Sequence, residues 1–230
     1  MKQNDNLIIR NYELTDYDRF AQLINVVLQL EKNHVPIQAK KALIDFHIYK
    51  YLQQATWIKV CTVNNHLVGI LMAVNPLDKA LYRVQTKQNF LNAQNKITTL
   101  KQSIRDKNAY SPKQMNGILT QLAVLEMIPI FVQEVDKTYC LNKSIEILFF
   151  CVDWNYQGLN IGKKLLQLFK QNFQSWKNQF WLLTDSNCNW KFYEYQGYHK
   201  IAERVVFNLQ QEPFLDLNLQ PYKLMVYKFA

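Results

Sequence analysis

The chain has 230 residues and a formal net charge of +9, from 27 Lys and Arg against 18 Asp and Glu. A hydrophobic fraction of 49% supports a folded core, and only 5 Gly and 6 Pro argue against long disordered linkers. The basic residues are dispersed and no run exceeds two. The charge therefore reads as a solvated surface that favours acidic small ligands, not as a nucleic-acid footprint.

Cys61, Cys140, Cys151 and Cys188 are scattered and form no C-x-x-C, which fits free thiols in a reducing cytoplasmic compartment. His34, His47, His66 and His199 form no i,i+4 pair and have no carboxylate companion at ligand spacing, so no metal is expected. Met1–Asn6 is polar and no run of about 18 apolar residues is read, so neither a signal peptide nor a membrane span is expected.

In chain order, Leu7–Tyr12 reads as a first strand. Thr15 with Asp18 reads as a helix start, followed by Phe20, Leu23, Ile24, Val27 and Leu28 at helical spacing. A second helix is expected over Gln38–Gln53. Trp57–Thr62 and Leu67–Val74 read as a hairpin turned at Asn64-Asn65, because Asn tolerates positive φ. Residues 78–142 read as a mainly helical insertion within a single domain spanning 1–230. Within it, one helix is expected over Lys79–Asp106 and another from Ser111-Pro112, an N-cap followed by Pro. That second helix should end or kink near Pro129, with a further helix over Ile130–Tyr139.

Ser144–Val152 then reads as a strand, Ile161–Gln174 as an amphipathic helix, Phe180–Thr184 as a buried strand and Asn189–Gln196 as a short helix. Tyr198–Asn208 and Tyr222–Phe229 read as two last strands, separated by a loop over Gln210–Gln220.

Between the first of these strands and its helix lies Gln157-Gly158-Leu159-Asn160-Ile161-Gly162-Lys163. A helix N-terminus offers unpaired amides and partial positive charge, and glycines let an anion approach the backbone. The spacing does not fit a G-x-x-x-x-G-K-[ST] loop, a G-x-S-x-G elbow or a G-x-G-x-x-G fingerprint. It resembles the Gln-x-x-Gly-x-Gly motif of the GNAT (Gcn5-related N-acetyltransferase) family, with Asn160 in place of the middle Gly. Asn is the commonest non-Gly residue at positive φ, so the loop can keep its shape. A second block, Phe180–Asp185 followed by Phe192-Tyr193-Glu194 and Gly197, resembles the second signature of that family. The resemblance covers about Ser144–Phe207 well and the middle of the chain hardly at all.

The resemblance implies an α/β fold with a mixed central sheet of about seven strands flanked by helices, the acyl-CoA N-acyltransferase fold. It implies an acetyl-CoA-dependent N-acetyltransferase that transfers acetyl to a primary amine by direct attack in a ternary complex, without a metal. A non-catalytic acyl-CoA-binding or regulatory module on the same scaffold is the alternative. Carried over by motif, acetyl-CoA would contact the backbone of Phe150, Cys151 and Val152, and its pyrophosphate would lie over Gln157, Gly158, Asn160, Ile161, Gly162 and Lys163. Asn189 would hydrogen-bond the pantetheine and Tyr193 would protonate the leaving thiolate. Glu146, eleven residues before Gln157, stands where one branch of the family has its general base. Its rival reading is a structural carboxylate. Asp153, Asp185 and Cys188 are weaker candidates, Asp185 as a cap and Cys188 without an activating His. The expected partner is a small-molecule or peptide amine, with no nucleic acid and no membrane; a homodimer is possible through the last strands.

Overall fold

The computed structural model describes residues 6–106, 109–177, 179–206 and 222–229. Seven strands form one mixed sheet in the order β1-β2-β3-β4-β5-β7-β6. These are β1 Leu7–Asn11, β2 Trp57–Val63, β3 His66–Val74, β4 Ile145–Val152, β5 Phe180–Asp185, β6 Tyr198–Val205 and β7 Lys223–Phe229. The helices are α1 Tyr17–Val27, α2 Ile37–Gln54, α3 Lys87–Ser103, α4 Pro112–Tyr139, α5 Ile161–Asn172 and α6 Lys191–Tyr195. The expected mixed sheet of about seven strands is the observed one. The loop read over Gln210–Gln220 lies outside the described residues.

The β2–β3 hairpin turns at Asn64 and Asn65, with φ of 49° and 67°, as the sequence predicts. The start of α1 differs from expectation. Thr15 does not cap it; a short 3-10 turn over Leu14–Asp16 leads in, and the Glu13 N–H donates to Asp16 Oδ2 at 2.9 Å. Asp16 wins because Arg10 grips both its oxygens, at 2.7 and 2.8 Å.

Helix α3 begins at Lys87, not Lys79. The stretch before it is tied back to the core instead: the Leu81 N–H donates to Ala55 O at 2.9 Å, and the Tyr82 hydroxyl donates to Tyr12 O. Helix α4 starts at Ser111-Pro112 as read, with Ser111 and Gln114 forming a capping box. It does not end at Pro129, which sits inside one 28-residue helix. An internal proline costs roughly 3 kcal/mol. Packing on both sides of it offsets that cost: Ile118 and Leu122 join α2 and α3, and Phe131 and Val135 cover Trp181, Leu224 and Val226. By length and composition alone α4 is also apolar enough to cross a membrane, a test that a core helix passes too, and a third of its most apolar window is buried against the rest of the chain.

Each sheet face has its own core. Helix α5 packs Ile161, Leu165, Leu166 and Phe169 on one face. Helices α1 and α2 cover the β1–β4 half of the other, with Phe20, Ile24, Ile48 and Leu52. The start of α5 lies close on β3 because Gly69 faces it; a Cβ there would meet Ile161 Cγ2 at 2.9 Å. Phe169 is fully buried, 4.8 Å from the Phe180 ring and 5.2 Å from that of Phe173. Phe169→Ala is expected to cost about 3–5 kcal/mol in denaturant unfolding; a loss under 1 kcal/mol would contradict this packing.

Candidate functional site

Strands β4 and β5 pair in parallel through only three registers, Ile145–Phe180, Glu146–Trp181 and Ile147–Leu182. Beyond Ile147, β4 runs on to Val152 with β3 as its sole ladder partner. Its β5-facing amides and carbonyls from about Phe149 to Val152 therefore lack strand partners, in a place where a buried backbone needs them. A register shift opposite Met72 and Ala73 leaves Leu148 out of the β3 ladder. The irregularity changes which face β4 presents. Ile145 and Ile147 join the α5 core, Phe149 joins the α1–α2 core, and Phe150 and Val152 return to the α5 side.

The following loop opens onto the same place. Asn160 caps α5 with φ 56° and ψ 23°, left-handed as expected for its position, and Gly158 has φ 86°. The first amide bonded back within the turn is that of Lys164, to Asn160 O at 3.0 Å. The amides of Ile161, Gly162 and Lys163 precede it and have no intrahelical partner, the general arrangement by which helix N-termini can take an anion.

A cavity of about 850 Å³ joins these features. It is lined by Phe150, Cys151 and Val152 at the end of β4, and by Gln157, Gly158, Asn160, Ile161, Gly162 and Lys163 on the loop. Asn189 and Tyr193 line it from the α6 side. Glu146 does not line it. It sits deeper on β4, half-buried, on the face covered by α2.

The Tyr193 ring lies 6.3 Å from that of Phe150 and 6.2 Å from that of Tyr198. Burial raises its pKa, so it stays a neutral phenol. Burial raises the Glu146 carboxyl to about 7, with Lys50 of α2 pulling it back down. Burial in turn lowers the Lys50 pKa, against the pull of Glu146. His47, three residues before Lys50, is held down to about 3 by burial and stays uncharged.

The weaker candidates have other tasks. Asp153 pairs with Arg19 of α1 and accepts from the Asn155 N–H at 3.0 Å. Asp185 accepts from the amides of Asn187 and Cys188, at 2.7 and 3.2 Å, as a cap would. Burial pushes the Cys188 thiol up to about 12, away from thiolate chemistry.

Sequence reading set the helix over Thr15–Leu30 beside the acceptor but named none of its cavity-lining residues, Arg19, Gln22, Asn25 and, just past α1, Gln29. It also missed Lys50. Neither carries a motif: the polar stripe of α1 reads as a solvated face, and only the fold brings Lys50 toward Glu146.

Residues 135–210, about a third of the chain, match the family model described as an acetyltransferase (GNAT) domain. No curated protein matches the sequence. Among solved structures, an agmatine N-acetyltransferase mutant superposes with a TM-score of 0.53 at 11% identity, covering 97% of this chain and 98% of that one. A mosquito arylalkylamine N-acetyltransferase-like protein gives 0.51 at 16% identity, covering 98% and 100%. The fold is thus that of the GNAT acyl-CoA N-acyltransferases, and residues 135–210 carry the GNAT acetyltransferase-domain signature.

Two outcomes test the local geometry. Asn160→Gly should leave urea stability nearly unchanged, whereas Asn160→Val should lose about 1–2 kcal/mol, the cost of a left-handed β-branched residue. For Glu146, a folded pKa near 7 lies above the unfolded value, so ionisation destabilises the fold as pH rises toward 7 and remains unfavourable above it. Glu146→Gln should therefore raise Tm relative to the parent more at pH 8.5 than at pH 5. An equal effect at both pH values would contradict the burial of that carboxyl.

Proposed function

We propose that the chain is an acetyl-CoA-dependent N-acetyltransferase acting on a primary amine by direct transfer in a ternary complex. One observation supports it above the others: unpaired amides at the start of α5 and an unpaired edge of β4 open onto one cavity. The first can take a pyrophosphate and the second a strand-like pantetheine arm. A cavity of about 850 Å³ is in the range of small-molecule sites.

The thioester supplies the acetyl group when bound. The residues that would hold it are Phe150, Cys151 and Val152 by backbone, the loop from Gln157 to Lys163, and Asn189. A backbone N–H near Phe150 donates to the acyl oxygen as it gains charge. The amine nitrogen attacks the carbonyl carbon, the C–N bond forms and the C–S bond breaks. Glu146 takes the amine proton. Since it does not line the cavity, that proton crosses at least one water. Tyr193 donates to the departing sulfur. Its raised pKa means that the proton moves only as negative charge accumulates there. The agmatine and arylalkylamine names of the two fold relatives are consistent with an amine acceptor.

Titrating coenzyme A into the protein should release heat with one site per chain, and acetyl-CoA with a suitable amine should release free thiol. No heat would contradict the reading. Tyr193→Phe, which keeps the ring, should lower kcat by roughly a hundredfold or more while leaving coenzyme A affinity within about twofold. The parent rate should rise as pH passes about 7, where Glu146 loses its proton, and Glu146→Gln should flatten that rise. An unchanged pH profile would remove Glu146 from the base role.

A further inference from the structure

We infer that the carboxamides of Gln22, Asn25 and Gln29 select the acceptor, and that the acceptor is a primary amine flanked by uncharged amide groups, as at a peptide N-terminus. This rests on the acetyl-transfer reading above. The three residues are spaced by three and four, so they share one side of α1 and its C-terminal end. All three line the cavity. Helix α1 packs on the opposite sheet face from α5, whose first turn would take the phosphates. The strip therefore belongs to the side of the cavity away from the nucleotide.

Charge narrows the acceptor further. Asp153 is the sole carboxylate residue among the described residues lining the cavity, and Arg19 already pairs with it. A polyamine would bring extra ammonium groups into the cavity with no free counter-charge among the described residues of its wall, which is costly. Carboxamides instead offer both a donor and an acceptor, the complement of a peptide group.

One local feature points the same way. Gln29 has φ 51°, just past the end of α1, where glycine is the usual occupant. A non-glycine residue held in that conformation on a cavity wall suggests that its side chain has a use there.

The test is steady-state acetyl transfer to two probes, Ala-Ala-Ala-amide with a free α-amine and spermidine. The parent protein should favour the tripeptide by about tenfold or more in kcat/KM, equivalent to one decade of discrimination. Gln29→Gly and Asn25→Leu should each raise KM for the tripeptide by roughly fivefold or more while leaving coenzyme A affinity, read by calorimetry, unchanged. Gln29→Gly should keep or raise Tm, because glycine accepts the positive φ, so its loss of acceptor use is separable from unfolding. Equal or better use of spermidine, or an unchanged tripeptide KM in both variants, would overturn the inference. If coenzyme A still binds in that case, the acetyl-transfer reading survives; if it does not bind the parent protein at all, both fall.

Discussion

The site depends on two parallel strands that part company. Three registers hold β4 to β5, and past Ile147 and Leu182 the ladder stops. A sheet interior does not normally leave backbone groups unpaired, since each orphan costs about as much as a lost hydrogen bond. Here the unpaired stretch borders a cavity instead of another strand. The fold thus trades ladder bonds for a surface on which an extended ligand can complete them, the same physics by which a peptide adds to a sheet edge.

The rest of the architecture positions that opening. Gly69 lets α5 lie close on β3 and sets its first turn beside the end of β4. The aromatic group around Tyr193, with Phe150, Phe192, Tyr198 and Tyr227, fixes the phenol at the cavity wall. Helices α1 and α2 close the other face, bringing carboxamides to the cavity and Lys50 toward Glu146. Helix α4 bridges two cores, one with α2 and α3 and one over β5 and β7. The two sheet faces therefore differ in chemistry: amides and small turns on the α5 side, carboxamides and a half-buried carboxyl on the α2 side.

Much of this was legible from residue pattern. The shape of the turn before α5 was readable because Gly158 and Asn160 are residue types that accept positive φ, and both adopt it. The hairpin at Asn64-Asn65 and the cap at Ser111 were readable for the same local reason. Local rules failed where tertiary contacts outweighed them. Pro129 reads as an end or a kink, and packing on both sides carries the helix past it. Thr15 reads as a cap, yet Arg10, six residues before Asp16, fixes that carboxylate instead. The helix over Thr15–Leu30 was expected beside the acceptor, but its lining residues were not singled out, because Gln22, Asn25 and Gln29 look like an ordinary solvated stripe until the sheet is placed behind them. Lys50 has no motif at all; only the packing of α2 over β4 brings it toward Glu146.

Amide hydrogen exchange, with and without coenzyme A, tests the central claim most directly. Binding at the proposed place should slow exchange at the β5-facing amides of Phe150 and Val152 and at Ile161–Lys163, which lack ladder or intrahelical partners, and should leave the β2–β3 hairpin unchanged. Protection confined to other segments, or none at saturating ligand, would mean that the parted strands do not hold the cofactor.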